Sequence, residues 1–230
     1  MTRLRNALMV AILAALFALP FIGPAITSTV VNAQPQQGKT ARVSYTPVSG
    51  GDYDIDPAHS IIGFSIRHLE INWVEGRFKD FTGVIHFNDS DITKSSVQFT
   101  AKVESIDTGV EPRNKHLRTA DFFDVAKYPE LAFKSTGVER KGKDRYILNG
   151  DFTLKGVTKQ VAIPFTVTGA ITDPWGNTRF GINAQTKIDR RDYGVTWGHP
   201  LANGGLDVGT EVTINLQLEA VKPAAKPAAE

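Results

Sequence analysis

The sequence predicts an all-β fold, an eight-stranded antiparallel barrel with one short helix in the connection 106–129. Three observations predict it. Apolar and polar residues alternate through most of residues 53–221, the period-two mark of half-buried strands. Turn-forming clusters cut this alternation into eight segments with mostly short links, and short links join antiparallel neighbours. Several segments run about ten residues or more, which favours coiling and closure over a flat sandwich.

The segments follow in order. Ile61 to Leu69 places Ile62, Phe64, Ile66 and His68 on one face. Glu75 to Phe87 carries Gly76 and Phe78, then Phe81, Gly83, Ile85 and Phe87. The apolar phase shifts between Phe78 and Phe81, which predicts a bulge or bend there. Ser95 to Ser105 aligns Val97, Phe99, Ala101 and Val103, and Glu130 to Gly137 aligns Leu131 with Phe133. Arg145 to Lys155 aligns Tyr146, Leu148, Phe152 and Leu154. Thr158 to Gly169 aligns Val161, Ile163, Phe165 and Val167. Thr178 to Asp189 aligns Phe180, Ile182, Ala184 and Ile188. Val208 to Ala220 alternates most cleanly, with Val208, Val212, Ile214, Leu216 and Leu218 on one face. Asn88-Asp-Ser-Asp91, Lys141-Gly-Lys-Asp144, Lys155-Gly156 and Asp173-Pro-Trp-Gly-Asn177 supply turn chemistry. The long link from Ile106 to Pro129 breaks the alternation. Leu117, Ala120 and Phe123 recur there at three-residue spacing, which predicts the short helix, with Pro112 at its opening.

Residues 1–33 read as a secretory leader. Arg3 and Arg5 precede an uncharged apolar run from Ala7 to Ile22, and Val31-Asn32-Ala33 resembles a cleavage site. Pro20 interrupts the run, which falls short of a comfortable membrane span. Residues 34–52 read as a flexible linker, 53–221 as the barrel, and 222–230 as a disordered Pro/Ala tail. The location expected is periplasmic or secreted. The chain has no Cys, so packing rather than disulfides must stabilise it in an oxidising compartment. Loss of Arg3 and Arg5 with the leader leaves 24 basic and 24 acidic residues. A mature chain without net charge has no global field to attract nucleic acid.

Catalytic and metal signatures are absent from the sequence. The five histidines, at 59, 68, 86, 116 and 199, show no zinc-binding spacing, and hydrogen-bonded structural roles are expected for them. No G-x-S-x-G occurs and no Cys is available as a nucleophile. No cofactor is expected. In the link, Arg113, Lys115, His116 and Arg118 flank Leu117, Phe122 and Phe123. Such a segment either plugs one end of the barrel with a solvated outer face or turns its cations to an anionic headgroup. Asp189-Arg190-Arg191-Asp192 poses the same choice: its charges pair with one another, or one Arg faces a ligand.

Several motifs in order resemble one family. They are Tyr53-Asp-Ile-Asp-Pro-Ala-His-Ser60, Phe64-Ser-Ile-Arg-His-Leu69, Gly76-Arg-Phe78, Phe81-Thr-Gly83 and Ser105-Ile-Asp-Thr-Gly109. His116-Leu-Arg118, Asp121-Phe-Phe-Asp124, Tyr128-Pro129 and Phe133-Lys-Ser-Thr136 follow. Gly150-Asp-Phe-Thr-Leu-Lys-Gly-Val-Thr-Lys159, Asp189-Arg190 and Tyr193-Gly-Val-Thr-Trp197 complete the set. The chain resembles the YceI-like, lipocalin-like polyisoprenoid-binding proteins over 53–221. The resemblance implies an eight-stranded barrel with an apolar interior for isoprenoid-like or other long lipids, a periplasmic or secreted location, and no established catalytic residues. Two positions depart from the pattern: Tyr53 stands where the family usually has Trp, and Arg113-Asn114-Lys115 stands where it tends to have Arg-Asp. The second change removes a carboxylate beside the candidate lid.

The expected function is therefore binding of one long apolar lipid, with transport, storage or sequestration as its purpose. The alternatives are a filled barrel acting through its surface and a lipid-modifying enzyme using His68 or His116. The candidate ligand-binding residues are Phe64, Ile66, His68, Phe78, Phe99, Phe133, Leu148, Phe152, Phe165, Phe180 and Leu216 in the barrel. His116, Leu117, Arg118, Phe122 and Arg191 join them at its mouth. The expected partner is an isoprenoid or other amphiphilic lipid, with membrane contact limited to transient lipid exchange. A closed barrel has no free edges, so a homodimer would need a face or loop contact.

Overall fold

The computed structural model describes residues 44–224. The expected leader, the first part of the linker and the last residues of the tail lie outside the described residues. Strands dominate: β1 (Gly51–Ile55), β2 (Ile61–His68), β3 (Asn72–Phe78), β4 (Phe81–Phe87), β5 (Ser96–Lys102) and β6 (Ile106–Asp107) precede the helix α1 (Glu111–Arg118). After it come β7 (Glu130–Arg140), β8 (Tyr146–Leu154), β9 (Val157–Val167), β10 (Ile171–Thr172), β11 (Thr178–Asp189) and β12 (Val208–Lys222).

These segments build a closed eight-stranded antiparallel barrel. Three barrel strands are made of two segments end to end. β1 and β2 both pair with the same flank of β12, at Ala220 to Val221 and at Val208 to Gln217. β3 pairs with β2 and β4 with β1, so they share the next position. β5 pairs with β4 and β6 with β3 in the third. Thereafter β7, β8, β9, β11 and β12 each pair with the strand before them. Because β12 also returns to β1 and β2, the barrel closes as a simple meander.

The apolar phase shift between Phe78 and Phe81 is a break in the second strand. Lys79 and Asp80 interrupt it, and the inward set passes from even numbers (Val74, Phe78) to odd numbers (Phe81, Ile85). β7 has a second slip between Ser135 and Gly137, after which Val138 rather than an odd-numbered residue faces inward. Each slip re-aims the side chains that follow it, since one residue reverses the face.

The linker reading over 34–52 needs correction within the described residues. Gly51 and Asp52 already belong to β1, and Thr46 exchanges both backbone hydrogen bonds with Ala170 (2.9 and 2.8 Å). Residues 44–50 are polar in composition but close against the barrel, because Ala170 offers an unpaired backbone edge there. At the other end β12 runs through Lys222, and the Ala224 N–H donates to Asn177 Oδ1.

The helix opens at Glu111-Pro112, where a missing N–H costs nothing. Asn114 is buried, not at the cavity mouth. Its Oδ1 accepts from Thr108 N (2.9 Å) and Thr108 Oγ1 (2.7 Å), and its amide donates to Asp107 and Glu111. The departure at this position therefore ties the helix to β6 and does not set a headgroup contact.

Candidate functional site: the barrel interior

The inward faces enclose apolar space in two adjoining chambers. The inner chamber has a volume of about 150 Å³ and a wholly apolar wall, with Phe87, Val97, Leu148, Ile163 and Phe165 among its lining. The outer chamber has a volume of about 290 Å³ and lies towards α1. Phe64, Phe78, Leu131, Phe152 and Ile214 line both. Glycines let two of these rings lie close to the wall. A Cβ at Gly76 would collide with the Phe64 ring, and one at Gly150 with the Phe133 ring.

The sequence-derived residues divide as follows. Phe99, Phe133, Leu148, Phe165, Phe180 and Leu216 line the inner chamber, and Phe64, Phe78 and Phe152 line both. Ile66, His68, His116, Leu117 and Phe122 line the outer one. Two candidates are corrected. Arg118 does not reach the cavity: its guanidinium donates to the carbonyls of Glu104 (2.9 Å) and Ile106 (3.4 Å), and it pairs with Glu104 and Glu111. Arg191 folds back on Asp189, donating to its carboxylate at 2.6 Å. The Asp189 carboxylate caps the short 3-10 turn Arg190–Tyr193, and that turn aims the neighbouring arginine inward instead.

Arg190 is that neighbour. It is buried, lines the outer chamber and donates to three carbonyls: Gly209 (2.8 Å), Val195 (2.7 Å) and Val208 (3.0 Å). Burial pushes its pKa below the usual arginine value. No carboxylate pairs with it among the described residues. Three carbonyls on one guanidinium clamp the segment 195–209 over the chamber.

The mouth also has an aromatic cluster that strand periodicity did not mark. Trp197 lies 5.1 Å from the His116 ring and 5.0 Å from Phe122, and His116 meets Phe122 edge-on at 5.0 Å. Trp197 follows the last turn of an irregular segment, so no period reports its direction. Its one signal in the sequence is its place in the Tyr193–Trp197 motif.

Four of the five histidines take the hydrogen-bonded roles expected of them, while His68 lines the outer chamber. His59 bonds Asp56 (2.8 Å), His86 bonds Asp52 (2.6 Å), His116 bonds Asp121 (2.9 Å) and His199 bonds Asp207 (3.0 Å). No serine or threonine hydroxyl donates to any of these rings among the described residues. Asp56, His59 and Glu219 come near enough to share a cation. However, Arg179 already fills that place: its Nη1 donates to Asp56 Oδ2 (2.8 Å) and Glu219 Oε1 (2.5 Å), and its Nε to Asp173 Oδ2 (2.7 Å). A guanidinium on two of the three ligand atoms excludes a second positive charge.

Fold and site together define a closed antiparallel barrel built around an apolar cavity. The family model for the YceI-like domain matches residues 53–220, and the chain belongs to that family. It is 43% identical over 140 residues to the UPF0312 protein plu2095 of Photorhabdus laumondii, covering 61% of this chain and 72% of that protein. It is 42% identical over 146 residues to Protein YceI of Escherichia coli O17:K52:H18, covering 63% and 76%. Among solved structures, Burkholderia cenocepacia BcnA superposes with a TM-score of 0.62 at 27% identity, covering 72% of this chain and 98% of that one. A domain from Saccharophagus degradans, described as polyisoprenoid-binding, shares the fold with a TM-score of 0.56 at 18% identity, covering 74% and 98%.

Proposed function

We propose that this protein holds one long apolar lipid, a polyisoprenoid or a related isoprenoid or acyl chain, inside the barrel for transport, storage or sequestration. It acts by binding, not by catalysis. The observation that carries this reading is the pair of adjoining apolar chambers in the barrel interior, which share Phe64, Phe78, Leu131, Phe152 and Ile214 as lining. A core filled for stability alone would not leave two adjoining apolar chambers of this size. Unfilled apolar volume costs roughly 24 cal/mol per Å³, so about 4 kcal/mol for the inner chamber alone. A lipid tail threaded through both chambers recovers those contacts and leaves water itself, at roughly 25 cal/mol per Å². The inner chamber presents no polar surface that would favour a hydrated ligand, while His68, His116 and Arg190 place the polar groups in the outer one. The description of the Saccharophagus degradans domain as polyisoprenoid-binding supports the same ligand class. The leader read at residues 1–33 supports a periplasmic or secreted location.

The test is native mass spectrometry of the protein purified from its own compartment, followed by solvent extraction and lipid mass analysis. One long-chain isoprenoid or acyl lipid per protein is the expected result. Lipid-free protein that also fails to take up added isoprenoid would refute the carrier reading and leave a barrel that acts through its surface.

A further inference from the structure

We propose that the tip of the β2–β3 hairpin is a bilayer-docking element that seats the cavity rim against a lipid surface. The tip is Leu69-Glu70-Ile71 with Trp73 beside it. Docking of this kind has a purpose only if the barrel carries lipid, as proposed above.

The tip is apolar where solvent should make it polar. Ile71 is 77% exposed, Trp73 45% and Leu69 39%. Single exposed apolar residues are ordinary on a protein surface, but three within five positions at one end of a hairpin are a patch. The backbone makes the choice of residues more pointed. Leu69 (φ 52°) and Glu70 (φ 61°) both sit in the left-handed region, and Ile71 N–H donates to His68 O (3.1 Å). That is a turn in which Asn-Gly is favoured. A non-glycine residue there costs roughly 1 kcal/mol or more. The β8–β9 hairpin of the same barrel makes the comparable turn with Lys155 (φ 49°) and Gly156 (φ 75°), a polar pair with a glycine where the conformation favours it. Backbone strain combined with exposed Leu and Ile marks the 69–71 turn as retained for contact and not for folding.

Its neighbours fit a bilayer surface. The Arg67 guanidinium lies 5.0 Å over the Trp73 ring, with no carboxylate partner among the described residues. Trp at the headgroup level with a cation stacked on it is the chemistry of a membrane interface. Glu70, the acid of the turn, is engaged with the 201–206 loop, where its Oε1 accepts from Leu206 N (3.4 Å). The same hairpin carries Ile66, His68 and Val74 on its inner face, and these line the outer chamber. A bilayer at the tip therefore meets the rim of the apolar cavity, so a lipid can pass between them with little exposure to water.

The test is flotation with vesicles of phosphatidylethanolamine and phosphatidylglycerol in equal parts, with lipid extraction from the same samples. The variant is Leu69→Asn, Glu70→Gly and Ile71→Ser together. It installs residues suited to the turn, so an unchanged thermal midpoint or a rise is expected. Its vesicle partitioning is expected to fall roughly tenfold or more, from the lost apolar burial. Trp175→Ser, at a more exposed tryptophan (78%) on the opposite end, is the control and should partition as wild type. Equal flotation of the tip variant and wild type overturns the proposal, as does loss of flotation in the Trp175→Ser control alone. Wild-type protein that carries lipid but does not float also overturns docking and leaves the carrier reading standing. Tip-dependent flotation of protein that neither carries lipid nor takes up added isoprenoid supports docking and refutes the carrier reading. A tip variant that instead converts a lipid-free dimer to monomer assigns the patch to a second copy and overturns the bilayer assignment.

Discussion

The two ends of the barrel are built from the same alternating strands and finish in opposite ways. At the Tyr53 end, Tyr53, Ala170, Phe180 and Ala220 are almost completely buried. Phe180 packs edge-on against Tyr53 at 4.8 Å and near Phe87 at 5.6 Å. The Tyr53 hydroxyl donates to Ser49 O (2.9 Å), and Lys222 lies over its ring. Outside that seal, Arg179 joins the turn at Asp56, the turn at Asp173 and strand β12 at Glu219. At the His68 end, α1 and the segment clamped by Arg190 stand over a chamber whose rim is exposed at His68, Leu69 and Ile71. One end uses ions and close-packed rings to hold strands together. The other leaves apolar space and apolar surface without a protein partner. With the proposed lipid in the chambers, the difference separates stability from ligand access along the barrel axis, so each should be alterable without the other.

The largest expected effect is at the sealed end. Arg179→Met removes the one cation shared by Asp56, Asp173 and Glu219. Leaving partly buried carboxylates without their partner should cost about 3 kcal/mol or more, read as a lower urea midpoint, while extracted lipid stays at the wild-type level. Loss of lipid in this variant would break the separation of the two ends.

Next is Ile214→Trp, at the junction of the chambers. Overpacking there should cost about 1–3 kcal/mol. Mass analysis of the extract should show the long lipid lost or replaced by a shorter one. Retention of the full-length lipid would mean that the chambers do not act as a single site.

Acid should unfasten the sealed end. Burial opposes ionisation of Asp56, but hydrogen bonds from His59, Arg179 and the Ala58 N–H outweigh it and lower its pKa from 3.8 to about 2. Asp173 is held below the ordinary carboxylate range in the same way, its burial outweighed first by Arg179. A depressed folded pKa contributes stability that is present above the unfolded value and lost as pH falls through the folded one. His59 is raised by its bond to Asp56 and so contributes in the opposite sense: fully below the usual histidine value, and fading as pH rises past its folded pKa. Urea midpoints should therefore drop as pH falls from 3.8 towards about 2, with a shallower acid limb in Arg179→Met. An identical limb in that variant would show that other carboxylates govern acid unfolding.

The smallest expected effect is at Arg191→Ala. Its bond to Asp189 is largely exposed and screened by solvent, so the urea midpoint should hardly move. Bound lipid should not change by extraction. A loss of lipid would return Arg191 to the site.

Much of this barrel was legible in the sequence, because a strand's two faces are set by its own pleat. Ile62, Phe64 and Ile66, or Val212, Ile214 and Leu216, alternate whatever they pair with, and the break at Lys79-Asp80 shows as a phase change in the apolar set. The family motifs extended that reading to the whole domain. The closing of residues 44–50 on Ala170 was not legible, since a polar segment carries no mark of the backbone edge it will meet. Nor was the choice between Arg190 and Arg191. Adjacent arginines are chemically equal until a turn capped by Asp189 points one into the barrel and folds the other back. Trp197 and the chambers depend on where irregular segments and distant strands come to rest. Sequence alone thus determined the alternation of the long strands and the face most of them turn inward, through local stereochemistry, but not β1 or the slip that turns Val138 inward. Whether those side chains fill the barrel or line it depends on the distance across it, and only closure of β12 on β1, β2 and β11 decided that.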